Sequence, residues 1–268
     1  MRNISTFPKF DILSKPMNPV RISAVSYYNT LPLIYGISRS GLLDGYELQL
    51  DVPSVCAEKL RNGEADLSLV PVGALPSFKH FELVGNYCIG AVGKVKTVLL
   101  LSNVPVSQIH TIYLDTDSRT SVNLVRVLTR RLWKTKVKWK SLNGTDPMSL
   151  GGEDGVVLIG DKTFGVCNKF EYCYDLAGCW HDLTGLPFVF AAWASTSELP
   201  VEFTRQFEAA LEWGVSHFRE SVILAKNLLI SEKELIHYLE FDISFQLDEA
   251  KRKGLDLFLS YLKEDLAL

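Results

Sequence analysis

Val20-Arg21-Ile22-Ser23-Ala24-Val25 runs straight into Ser26-Tyr27-Tyr28-Asn29-Thr30-Leu31-Pro32-Leu33, and a helical stretch near Pro32 to Ser38 precedes a second strand-like run, Tyr46 to Val52. Short apolar runs alternating with a helical segment are βαβ grammar, so the polar turn at Ser26 falls at the carboxyl end of a strand. Ser54 is placed to cap a helix that carries Val55 and Leu60 and ends at Asn62-Gly63, and Leu67 to Val70 supplies the next strand. A second α/β series begins with Thr97 to Leu101 and Ile109 to Leu114. It continues with a helix from about Arg119 to Trp133 and the strands Lys136 to Trp139, Val156 to Ile159 and Tyr172 to Leu176. After Gly185-Leu186-Pro187 comes the strand Phe188 to Trp193, and beyond Glu202 the pattern is helical, with Phe203, Phe207, Leu211 and Phe218 on one stripe and Leu255, Phe258, Leu259 and Leu262 on another. The simplest path runs from one lobe to a second and back. It predicts an extension over 1–19, a first lobe of 20–96 with 187–268, a second lobe of 97–186, and crossings near 90–98 and 186–194.

The 268 residues are 47% hydrophobic and 22% charged, enough for two cores. A net charge of −3 from 28 basic and 31 acidic residues gives no field to gather nucleic acid, and no nucleic-acid partner is expected. The basic stretch Arg126 to Lys140 reads as a solvated face. Cys56, Cys88, Cys167, Cys173 and Cys179 form an odd set without Cys-x-x-Cys spacing, which predicts neither a metal site nor a disulfide frame, and fits small buried side chains in a reducing compartment. The first 19 residues are broken by Arg2, Lys9, Asp11 and Lys15, and no run approaches the roughly 20 apolar residues that span a bilayer; a cytoplasmic location and no membrane partner are the expectation. The five histidines are scattered, and Gly151-Gly152-Glu153-Asp154-Gly155 lacks the Lys-Ser/Thr of a phosphate loop.

Two polar segments stand at strand ends, where open α/β sheets bind ligands: Ser26 to Leu33, and Asp117-Ser118-Arg119-Thr120-Ser121 after the strand that ends at Leu114. Asn29 offers a donor and an acceptor. Ser118, Thr120, Ser121 and nearby amides are donors for a carboxylate, and Arg119 adds charge. Each segment alone also suits an ordinary helix cap, with Asp117 and Asp161 as further capping candidates. Their equivalent positions in two lobes point to one small anionic ligand held in a central cleft.

Ser26 to Leu33, Asp66 to Val72 (Asp-Leu-Ser-Leu-Val-Pro-Val), Asp117 to Val122, Gly160-Asp161-Lys162 and Leu183 to Trp193 together resemble, in order, the chorismate dehydratase (MqnA) family of the futalosine route to menaquinone. The resemblance implies an α/β, two-lobed type II periplasmic-binding-protein-like fold with a central inter-lobe cleft. It also implies a cytoplasmic lyase acting on chorismate without cofactor or metal. Carried over residue by residue, it makes Asn29 and Thr97 catalytic, with threonine at Thr97 where the family usually has serine, a change that keeps the hydroxyl but restricts its rotamer. Ser26, Thr30, Arg119, Thr120 and Ser121 become substrate-binding. The matched segments hold no histidine to accept a proton, and the substrate's own enolpyruvyl carboxylate is one acceptor for it. Two rivals stand beside this reading. The sister dihydroxynaphthoate synthase carries a Cys-Pro-Asn-Asp type motif where this chain reads Ser-Tyr-Tyr-Asn-Thr, and a non-catalytic small-anion binding protein uses the same fold.

Overall fold

The computed structural model describes residues 19–115 and 118–266. In chain order the regular elements are β1 (Val20–Val25), α1 (Leu31–Arg39), β2 (Tyr46–Asp51), α2 (Pro53–Arg61), β3 (Leu67–Pro71), β4 (Glu82–Ala91), β5 (Val98–Ser102), β6 (Thr111–Leu114), α3 (Arg119–Leu128) and β7 (Lys138–Ser141). There follow β8 (Asp154–Ile159), β9 (Tyr172–Asp175), α4 (Leu176–Thr184), β10 (Phe188–Ser195), α5 (Val201–Ser216), α6 (Phe218–Leu224), α7 (Glu232–His237), β11 (Ser244–Gln246) and α8 (Glu249–Leu266). The described residues form two compact units. One holds the chain through Pro71, Ser77–Ile89 and Ala191–Leu247; the other holds Val72–Pro76, Gly90–Phe190 and the chain from Asp248 onward.

In the first unit the sheet order is β11-β4-β10-β3-β1-β2. β1 runs parallel to both β2 and β3, with Ile22 beside Leu48 on one side and Leu67 on the other, and β3 is antiparallel to β10. β3 and β10 are buried along their whole length, which is why both read as continuous apolar runs rather than as alternation. Pro32 sits in the first turn of α1, where its fixed φ and missing N–H cost nothing. α1 lies backbone to backbone on α5: a β-carbon on Gly36 would come 2.0 Å from the Ala210 carbonyl oxygen, and one on Gly214 2.2 Å from that of Pro32. Glycine is the side chain that permits this approach. Ser54 does not cap α2; the cap position is Val52, and Pro53 opens the helix in its place.

In the second unit the order is β7-β6-β8-β5-β9, with β6 parallel to β7 and β8, and β5 antiparallel to β8 and β9. Leu99, Leu101, Val156 and Leu158 form the core of one face, with Tyr113 and Phe170 against them. The stretch 119–133 is not one regular helix. α3 stops at Leu128 and a single π turn, Thr129–Trp133, follows, where the Thr129 hydroxyl donates to the Val125 carbonyl at 2.7 Å and Lys134 leaves at φ 54°.

Three further expectations change. The C-terminal helix, assigned by its stripe to the first lobe, belongs to the second unit, because Phe258 packs edge-on against Trp180 and Phe188. Arg131 lies 3.7 Å over the Tyr261 ring and reaches Glu264 at 2.6 Å, and Arg130 pairs with Asp265, so part of the basic stretch is an anchor for α8 rather than a free face. Finally, Cys167 and Cys173 are joined as a disulfide with their Cα atoms 5.5 Å apart. A 3-10 turn over Cys167–Lys169 folds the chain back before β9, a geometry that the six-residue spacing does not announce. Cys56 and Cys88 are buried as expected.

Candidate active site

Each sheet has a switch point. In the first, β1 stands between β2 and β3, and in the second β6 stands between β7 and β8, so the chain passes from one side of the central strand to the other. The crevice beyond the carboxyl ends of such strands is where open α/β sheets hold ligands. Ser26–Thr30 fills that place in the first unit. In the second, the turns after β6 and β8 do so, carrying Asp115 and Lys162.

In the first unit Tyr28–Thr30 makes one 3-10 turn that leads into α1. Thr30 is buried, and its hydroxyl faces the carbonyls of Val25 at 2.6 Å and Tyr27 at 2.7 Å, so it fastens the turn and is not offered to a ligand. The buried Tyr28 hydroxyl accepts the Leu229 N–H at 2.6 Å. Ser26 donates its N–H to the Asp51 carbonyl at 3.1 Å. Below it the Asp51 carboxylate takes the Ser23 hydroxyl at 2.8 Å and the Lys59 ammonium at 2.7 Å, which pins the strand end from beneath. The Ser26 hydroxyl and the Asn29 amide are partly exposed and make no hydrogen bond among the described residues. Rigid backbone with unpaired polar tips is what a preorganised contact requires.

In the second unit Ser118 caps α3, accepting the Ser121 N–H at 3.2 Å, with its hydroxyl 3.0 Å from that of Ser121. Asp117, the other capping candidate, lies outside the described residues. Ser121 is 1% exposed and Thr120 1% exposed. The Thr120 hydroxyl accepts the Gly73 N–H at 3.0 Å and donates to the Phe190 carbonyl at 3.0 Å, while Asn123 donates to the Gly73 carbonyl at 3.2 Å. A β-carbon on Gly73 would meet the Thr120 backbone at 2.7 Å. Thr120 is therefore a staple for its own chain, and its hydroxyl is not a free donor for substrate. Arg119 is exposed and unpaired among the described residues.

Thr97 is buried just before β5, and its hydroxyl points to the Val95 carbonyl at 3.5 Å, the long limit of a hydrogen bond. Its carbonyl takes the Gly160 N–H at 2.9 Å. Lys96 before it has φ 65°, a left-handed conformation that a lysine holds only under constraint. The constraint is Asp175, whose Oδ2 accepts the N–H groups of Val95 at 3.0 Å and Lys96 at 2.7 Å while Oδ1 caps α4 through Ala177 and Gly178 at 3.1 and 3.0 Å. Burial pushes this carboxyl above the usual carboxylate range, against the pull of its four N–H donors. Sequence reasoning missed Asp175 because α4 was not anticipated.

The other carboxylates divide plainly. Asp66 binds Arg21 through the backbone N–H at 2.9 Å and the guanidinium at 3.0 and 2.6 Å, and this pairing holds its carboxyl below the usual range. Asp161 caps no helix; the turn Gly160–Thr163 starts from Ile159 without a side-chain cap. Asp115, buried at the end of β6, pairs with Lys162. Burial lifts the thiols of Cys56 and Cys179 to about 12, which makes poor nucleophiles of both. Among the described residues no group of three or more His, Cys, Asp or Glu could hold a metal ion, and no helix is long and apolar enough to cross a membrane.

Comparison with known proteins places these segments in context. A family model described as menaquinone biosynthesis matches residues 20–264. A chorismate dehydratase of Thermus thermophilus is 27% identical over 269 residues, covering 92% of this chain and 96% of that protein. One from Campylobacter jejuni is 29% identical over 174 residues, covering 62% of this chain and 63% of that one. Among solved structures, a Candida albicans protein described as having the generic periplasmic-binding-protein fold superposes with a TM-score of 0.68 at 12% identity, over 93% of this chain and 90% of that one. The α/β fold is thus periplasmic-binding-protein-like.

Proposed function

The chain belongs to the menaquinone-biosynthesis family, and from that footing we propose that it is a chorismate dehydratase, a cytoplasmic lyase that converts chorismate to 3-[(1-carboxyvinyl)oxy]benzoate and water. The observation that carries the reading is the match to a chorismate dehydratase over nearly the full length of both chains. The unpaired Asn29 amide at the first switch point supports it.

The proton on C3 and the hydroxyl on C4 leave, and the ring becomes aromatic. No electron acceptor is needed, because the electrons of the C3–H bond form the new ring double bond as C4–O breaks. The ring carboxylate is conjugated with C1=C2, so charge released at C3 spreads into it, and fixed donors facing that carboxylate lower the barrier. In this reading Asn29 and Ser26 orient the hydroxyl side of the ring, and Thr97 supplies a catalytic hydroxyl. The α3 segment with Arg119 faces a carboxylate, Thr120 and Ser121 contributing the scaffold rather than their hydroxyls. The proton acceptor in this proposal is the substrate's enolpyruvyl carboxylate.

The test is direct. Purified protein mixed with chorismate should produce an aromatic absorbance and a product lighter by one water in mass. No product at enzyme concentrations close to those of the substrate removes the proposal. Asn29→Ala should lower kcat strongly in a protein that unfolds like the parent; unchanged kinetics would withdraw Asn29 from the site.

A further inference from the structure

Two ion pairs clamp the two ends of β1. Arg21, near its start, reaches Asp66, the residue before β3, and this pair is the more open to water, with side chains 42% and 30% exposed. At the other end Asp51 closes β2 beside Val25, and its carboxylate takes the ammonium of Lys59 on α2 at 2.7 Å, with side chains only 15% and 21% exposed. Ser23 of β1, fully buried, donates its hydroxyl to the same carboxylate at 2.8 Å. Ser68 of β3 donates to the Cys56 carbonyl of α2 at 2.9 Å. One polar seam therefore runs across three adjacent strands under α2, although Cys56, Ala57 and Leu60 already bury that helix on the sheet. Replacing a buried ion pair by apolar groups is often neutral for stability, so the seam is poorly explained as a source of folding energy. Apolar contact is non-directional, whereas hydrogen bonds that satisfy one another fix distance and angle.

What the seam fixes is the strand end from which the Ser26–Thr30 turn departs. The Asp51 carbonyl accepts the Ser26 N–H at 3.1 Å, the Val25 carbonyl accepts the Thr30 hydroxyl at 2.6 Å, and Val25 and Asp51 are register partners. Asn29 lies between these two anchors. We infer that Asp51 and Lys59 are positioning residues, which act through the turn by holding Ser26 and Asn29 in place for the substrate. The catalytic consequence rests on the dehydratase reading; the hold on the turn does not.

The test is steady-state kinetics with chorismate together with amide hydrogen exchange read residue by residue by NMR, for the parent, Lys59→Met, Lys59→Arg, Asp51→Asn and Arg21→Met. Lys59→Met removes the ammonium and keeps most of the stem. The Ser26 amide should then exchange about threefold to tenfold faster, while the Val20 amide, bonded to the Gly45 carbonyl at the other end of β1, keeps its rate. In the same variant kcat should fall about threefold to tenfold with KM within about twofold, because a displaced Asn29 loses its alignment on the reacting group and not the grip on the carboxylates. Lys59→Arg, able to pair with Asp51 again, should restore both readings. Asp51→Asn keeps an acceptor for Ser23 but weakens the bond to the ammonium; it should show the same split and serves by itself if Lys59→Met does not fold. Arg21→Met gives up the pair at the far end of β1 and should leave kcat and Ser26 exchange at the parent's values. Unchanged Ser26 exchange in Lys59→Met, or faster exchange at the parent's kcat, overturns the inference and leaves the dehydratase reading standing. Equal losses in Lys59→Met and Arg21→Met would mark general loosening and overturn it as well. If the parent leaves chorismate unchanged, the dehydratase reading fails, and the exchange comparison alone decides the inference.

Discussion

Replacing Thr120 with valine removes one hydroxyl, keeps the shape, and leaves two backbone groups without partners: the Gly73 N–H and the Phe190 carbonyl, each now 3.0 Å from the Thr120 oxygen. The Phe190 contact is fully buried and the Gly73 contact partly so. An unsatisfied buried backbone group costs about 1–3 kcal/mol, with less for one that water can still approach, so the sum is about 2–4 kcal/mol. That is a large part of a typical folding free energy of about 5–15 kcal/mol. At about 2–4 °C per kcal/mol for a chain of this size, the melting temperature should fall by about 5–15 °C. Thr120→Ser, which retains the hydroxyl, should lose far less. Thermal unfolding followed by circular dichroism reads both, and the KM for chorismate is measured well below the transition. A Thr120→Val protein that melts within about 2 °C of the parent while its KM rises sharply would refute the staple and return Thr120 to the role of a substrate ligand.

Further outcomes follow from other contacts. Gly214→Ala should destabilise the chain by about 1–3 kcal/mol even after the better helix propensity of alanine is counted, since the new methyl meets the Pro32 carbonyl at 2.2 Å; Gly152→Ala, with open space around it, is the control in the same urea titration. Asp175→Ser keeps a cap for α4 but cannot reach the N–H groups of Val95 and Lys96, so kcat should drop with little change in KM, and a kcat equal to the parent's would detach Asp175 from Thr97. Because Arg21 lowers the carboxyl of Asp66 in the folded chain, its contribution is present above the unfolded pKa of about 3.9 and is lost as pH falls through the lower folded value. Acid unfolding curves of the parent and Asp66→Asn should therefore converge at low pH, and a constant gap between them would contradict the assignment.

The alternation from Val20 to Val52 led to β1, α1 and β2 within a residue or two, because apolar periodicity and burial coincide there. β4 went unseen, since Glu82–Ala91 mixes exposed polar positions with buried ones and carries Gly85 at φ 75°. α4 went unseen as well, because Asp175 reads equally as the end of a strand and is in fact the cap of the helix. The site was legible as positions and less so as atoms. Ser26, Asn29 and Arg119 present free polar groups where the pattern put them, whereas Thr30, Thr120 and Ser121 have hydroxyls committed to neighbours. Hydroxyl residues before a helix serve either purpose, and only the distances separate the two. The Asp115–Lys162 pair joins residues far apart in the chain and left no local mark.

The ring cluster of Trp180, Phe188 and Phe258 sets an order of events during synthesis. The first unit has all its strands once the ribosome has made Leu247, but the second waits for α8, which follows it. Until Phe258 clears the exit tunnel, Trp180 lacks one of its covering rings, and the nascent chain offers that aromatic surface to whatever meets it. Begun early in the sequence and closed only by α8, the second unit keeps part of its aromatic core open until that helix packs.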